Sequence, residues 1–169
     1  MSSRLTLGFI VAALLLGGVG ASFSRTLIDN PAWRQVGVKA WAEFSRVADL
    51  GNGEIVYPLE GIGGALLTFA AAISFRLSSN RPRSAAVPIY AAALMKIGVL
   101  LVTTQAAPIM LSVKRIGDDP ATLQRAFDGF ARWGDLRAVF VFLGYCAEVW
   151  ALVAILNPSS RSSTQIRAE

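Results

Sequence analysis

Four stretches of this chain are long, apolar and nearly free of charge: Leu5–Phe23, Ile55–Phe75, Ala85–Val113 and Leu136–Leu156. A bilayer core is crossed by roughly 20 consecutive apolar residues in a helix, and each stretch is near or above that length. A helix satisfies its own backbone polar groups, which is what a lipid environment demands. Composition agrees, with 54% hydrophobic and 16% charged residues against ~25% charged in soluble domains. The expected fold is all-α, a four-helix transmembrane bundle. Residues 1–169 are read as a single integral membrane domain, with spans at about 5–23, 55–75, 85–113 and 136–156.

The first stretch also has the outline of a signal peptide, with Arg4, an apolar core and the small residues of "GGVGAS" (Gly17–Ser22). A true span is favoured. Four spans put both termini on one side, called side one. Its segments are short and rich in arginine: Arg4, then Arg76, Arg81 and Arg83, then Arg161 and Arg167. The side-two loops are longer and mix bases with acids. The positive-inside effect is strongest for short flanks, so both termini are expected to be cytoplasmic, in a bacterial inner membrane. A net charge of +5 would suggest nucleic acid in a soluble chain. Here the basic residues flank spans and meet lipid headgroups, so the expected partner is membrane lipid and not nucleic acid.

The two long loops are expected to hold amphipathic helices at the membrane interface, at about 31–49 and 120–133. In the first, Asn30 is placed to cap and Pro31 to occupy the first helical position. Trp33, Val36, Ala40, Phe44 and Val47 then share one face, and "GNG" (Gly51–Gly53) ends the helix. In the second, Asp119 caps, Pro120 follows, and Leu123, Phe127 and Phe130 share a face. Within the second span, Gly61 and Ala65 form a small-xxx-small pair suited to close helix contact.

Ionisable residues inside a membrane are costly and are functional candidates by default. Three lie within the spans: Glu60, Lys96 and Glu148. At 1.5 Å per residue, Glu148 lies about 18 Å from side two and Lys96 about 16 Å from side one. Their spans are consecutive and antiparallel, so Glu148 is the expected partner of Lys96. Glu60 is shallower, about 8 Å from side two. One reading is a structural ion pair. The other is a polar pocket built from Lys96, Glu148 and Glu60, the tyrosines one turn before each glutamate (Tyr57 and Tyr145), and Gln105.

The chain has no histidine and one cysteine, Cys146. This removes the usual zinc and copper sites, bis-histidine haem and iron–sulfur clusters. No metal or other cofactor is expected. A nucleophilic triad lacks its histidine base, and there is no phosphate-binding glycine loop. The candidates for chemistry are Glu148, Glu60 and Lys96.

"TTQAAPIMLSV" (Thr103–Val113) and "FARWGDLRAVFVF" (Phe130–Phe142) resemble the end of the third span and the entry to the fourth in the anthrone-oxygenase-like family of small four-span membrane proteins. Pro108, Trp133 and Arg137 match its pattern. Gly134 stands where the family has asparagine, Met110 where it often has a polar residue, and Asp135 where a histidine is common. The resemblance implies a four-span membrane protein. Binding of a lipophilic small molecule is the accompanying expectation, with Tyr57, Tyr145 and Gln105 of the polar set and Arg137 and Trp133 of the matched stretch as candidate contacts. The resemblance also implies an alternative activity, the cofactor-independent oxygenation of polycyclic phenols, in which a base such as Glu148 or Glu60 forms the substrate carbanion. A third reading is an accessory or scaffold subunit of a membrane complex.

Overall fold

A computed structural model describes residues 3–17, 19–79 and 81–156. Among them every regular element is helical. In chain order these are α1 (Ser3–Leu16), α2 (Val19–Ser24), α3 (Asn30–Val36), α4 (Val38–Val47), α5 (Gly53–Leu77), α6 (Ala86–Ser112) and α7 (Pro120–Leu156). Four helical runs are long and apolar enough to cross a membrane: Arg4–Val36, Val38–Leu77, Arg83–Ser112 and Pro120–Leu156. The start of α1 and the end of α7 lie at the same end of the bundle. Ile10, Phe75, Ala85, Ile89 and Ala151 form one core there.

The runs are longer than the apolar stretches because the expected loops are helical too. A π-helical turn, Arg25–Asp29, joins α2 to α3. The amide of Asn30 reaches back to the carbonyl of Arg25, and the widened turn accommodates Pro31, which has no N–H to give. Asn30 is itself helical and its side chain makes no cap, so the expected helix start there is corrected. A second π-helical turn, Ala48–Asn52, contains a kink at Gly51 and leads into α5. The "GNG" segment therefore bends the chain without ending its helical course.

The expected helix over 31–49 is broken at Gly37, whose φ of 93° and ψ of 154° suit glycine alone. The break resets the helical phase. Val36, Phe44 and Val47 are exposed, whereas Trp41, Ala42, Asp49 and Leu50 are buried. Trp41 stacks on Phe127 at 4.1 Å and on Trp33 at 6.0 Å. With Ala106, Met110, Leu123 and Phe130, this stack forms a second core at side two.

Asp119 does cap α7. Its carboxylate accepts from the Thr122 hydroxyl at 2.6 Å and from the Thr122 amide at 2.9 Å. Those two bonds hold its carboxyl below the usual carboxylate range. Leu123, Phe127 and Phe130, expected to share a face, are buried together. The two expected helices at 120–133 and 136–156 are one continuous helix of 37 residues, since Gly134 in a helix interior costs only about 1 kcal/mol.

Arg46 fastens α4 over the α6–α7 connection. It donates to the carbonyls of Val113 at 3.2 Å and Ile116 at 2.9 Å, and pairs with Asp118 at 2.8 Å. The first two partners are carbonyls at and just beyond the C-terminus of α6, where the helix has no amides left to offer.

Space around Gly37 is open, so replacing it tests the backbone alone. Gly37→Ala is expected to destabilise the folded protein by about 1–3 kcal/mol, read as a lower melting temperature in detergent.

Candidate functional site

The spans bring their polar residues together at two separate places. The first is central. Lys96 Nζ lies 3.3 Å from Glu148 Oε1, and both residues are buried, at 5% and 2% exposure. Thr68 donates its hydroxyl to the same carboxylate at 2.7 Å. The three come from α6, α7 and α5. The end of α1 completes the set, because Gly17 and Gly64 pack so closely there that a Cβ on Gly64 would lie 3.4 Å from the Cα of Gly17. A Cβ on Gly17 would lie 3.4 Å from Lys96 Nζ. Small residues at the crossing leave the ammonium its place. The contact runs through Gly64 and the buried Ala65, while Gly61 faces open space.

Beside this node Ile10, Ala13, Thr68, Ala71, Ile89, Ala92, Glu148 and Ala151 line a small, partly open cavity of about 10 Å³, room for one water molecule at most. A polycyclic substrate does not fit it.

The expected polar pocket does not form around the pair. Gln105 is exposed, and its amide reaches only Thr104, at 3.4 Å. Tyr145 is 37% exposed. Glu60 is half-buried and makes no ion pair among the described residues. Tyr57 belongs to the second place, and so do Arg137 and Trp133.

That second place lies where the helices meet the side-two core. Arg25, on the first π-helical turn, grips Asp49, on the second, with bonds of 2.7 and 2.8 Å. The fork geometry is bidentate, the strongest form of this contact. Tyr57 donates to Asp49 at 3.0 Å and accepts from Arg25 at 3.2 Å. The Arg25 guanidinium also lies 5.3 Å from the ring centre of Phe130. Two turns further along α7 from Phe130 stands Arg137, half-buried. Among the described residues it makes no ion pair and no side-chain hydrogen bond. Trp133, one turn before it, packs against the side-two core. Four buried atoms in this region have no hydrogen-bond partner among the described residues: Arg25 Nε, Asn30 Oδ1, Trp41 Nε1 and Ser45 Oγ.

Sequence reasoning missed Arg25 and Asp49. They are 24 residues apart, Arg25 just past the expected first span and Asp49 at the end of the expected helix over 31–49, and the two π-helical turns bring them together. A π-helical turn is frequently found at a functional site, but it leaves no simple sequence pattern.

No protein family, curated protein or solved structure was found to match this chain.

The central node makes a sharp stability prediction. Thr68→Val removes one donor from a buried carboxylate and is expected to cost about 1–3 kcal/mol. Thr68→Ser keeps the hydroxyl and is expected to retain most of that stability in the same detergent melting experiment.

Proposed function

We propose that this is a non-catalytic integral membrane protein that binds one amphiphilic molecule at its side-two end, where Arg25, Asp49, Tyr57 and Arg137 gather. The observation that carries the reading is Arg137, half-buried and lacking an acidic partner among the described residues. Buried charges are ordinarily paired. Arg137 stands at the start of the last apolar stretch, the level at which an amphiphile's polar group meets its tail. The interior is a filled structural lock in this reading.

The same reading places the chain in a bacterial inner membrane with both termini cytoplasmic. It sets α3, α4 and the first turns of α7 at the side-two interface. The length of α7 supports this. Its 37 residues make a helix about 55 Å long at 1.5 Å per residue, well beyond a hydrocarbon core of about 30 Å. The excess lies at the N-terminal end, where the charges are.

The likeness to the anthrone-oxygenase-like family rests on the two stretches around Pro108 and Arg137. It suggests oxygenation of a polycyclic phenol, but the interior weighs against that chemistry here. Glu148 is already engaged by Lys96 and Thr68, and the space beside it suits a single water. A scaffold subunit would share the filled interior, but that reading leaves the unpaired Arg137 without a role.

The test is native mass spectrometry of the chain extracted in a mild detergent. One retained amphiphile per chain is expected, together with a rise in melting temperature when amphiphiles are added back to delipidated protein. A chain that emerges bare, and whose melting responds to no added amphiphile, would overturn the proposal.

A further inference from the structure

Resting on that amphiphile-binding reading, we infer that the group bound at the side-two site is an anion, a phosphate or carboxylate, taken by Arg137 beside the clamped Arg25.

Charge bookkeeping at the site leads there. Arg25 lies 5.3 Å from the ring centre of Phe130, and half-buried Arg137 stands two turns further along the same helix. Asp49 is committed to Arg25 through both of its oxygens and also accepts from Tyr57. Arg137, half-buried, is left with no ion pair among the described residues. An anion against Arg137 supplies that partner and satisfies a planar donor set whose geometry matches phosphate and carboxylate.

Arg25 plays a different part. Asp49 occupies its two terminal nitrogens, and its Nε–H is left buried and without a partner. It is fixed in place by the carboxylate, the phenol and the Phe130 ring. It contributes positive potential and one spare donor, while Arg137 supplies the free fork. A neutral headgroup has no means of cancelling the charge, so the site discriminates by charge before shape.

Two sources offer this chemistry: the headgroup of an anionic lipid, or a free anion from the water. The experiment uses the full chain, delipidated in detergent, with its melting temperature followed during separate titrations of phosphatidylglycerol, phosphatidylcholine and inorganic phosphate. Phosphatidylglycerol is expected to stabilise saturably and phosphatidylcholine much less. Arg137→Gln is expected to bind phosphatidylglycerol about tenfold more weakly, the loss of one charge-assisted hydrogen bond. Arg137→Lys should retain part of the affinity, and exposed Arg132→Gln should retain all of it. Stabilisation by inorganic phosphate with the same dependence on Arg137 supports the anion and assigns it to the aqueous source. Equal stabilisation by the two lipids overturns the inference and leaves amphiphile binding standing, and this contrast needs no variant. Phosphatidylglycerol affinity unchanged by Arg137→Gln also overturns it. Failure of every probe to bind removes this inference and the reading beneath it together.

Discussion

A single carboxylate in the middle of the bundle organises the four long helices. Glu148 of α7 receives the ammonium of Lys96 from α6 and the hydroxyl of Thr68 from α5. The crossing of Gly17 and Gly64 brings the end of α1 against the same ammonium. Apolar packing alone specifies register weakly, because one aliphatic layer resembles the next and lipid tails compete with equal hydrophobicity. A buried charge is different. Sliding α6 or α7 by a turn, about 5.4 Å, would strand an ionised group in hydrocarbon, and sliding α5 would take the Thr68 hydroxyl from the carboxylate. The pair is thus better understood as a register lock than as a net source of stability, since desolvation consumes much of what the attraction returns.

The lock also bears on where the proposed binding would lie. At the centre, Glu148 is engaged from two helices, and the adjoining space holds about one water. At side two the accounts are open. Arg137 lacks an acid among the described residues, and polar atoms of Arg25, Asn30 and Trp41 are buried without partners. Native proteins leave few such groups unsatisfied, and each calls for a bound water, an ion or a ligand. The helices around them are held firmly, by the stacked Trp33, Trp41 and Phe127 and by Arg46 on the carbonyls that follow α6. A rigid surround with unmet polar groups is a better binding site than a filled core.

Much of the fold was legible because hydropathy and helical rise are local quantities. The four apolar stretches, the Asp119 cap and the buried face of Leu123, Phe127 and Phe130 follow from them. So does the partnership of Lys96 with Glu148, from matched depths on antiparallel neighbours. The errors have equally physical causes. Gly37 breaks the helical phase, so the single helix expected over 31–49 is two, and Trp41 and Ala42, outside the expected apolar face, are the buried residues. Gln105 is nine residues beyond Lys96, which at 100° per residue is half a revolution away, so it had no route to the same pocket. The grip of Arg25 on Asp49 joins two π-helical turns, a geometry that side-chain periodicity does not encode. Arg137 was visible as a residue, but its lack of an acidic partner is a property of the surrounding space.

The central claim is that Lys96 and Glu148 act as one unit. A double-mutant cycle of thermal unfolding in detergent measures it directly. Removing one partner of a buried pair leaves the other charge stranded, at a cost of about 3–5 kcal/mol, whereas replacing both can be nearly neutral. Lys96→Met and Glu148→Gln alone should each lower stability substantially, and the double variant should recover much of the loss. Losses that simply add would contradict the account, because they would mean that the two groups stand in the membrane interior independently of one another.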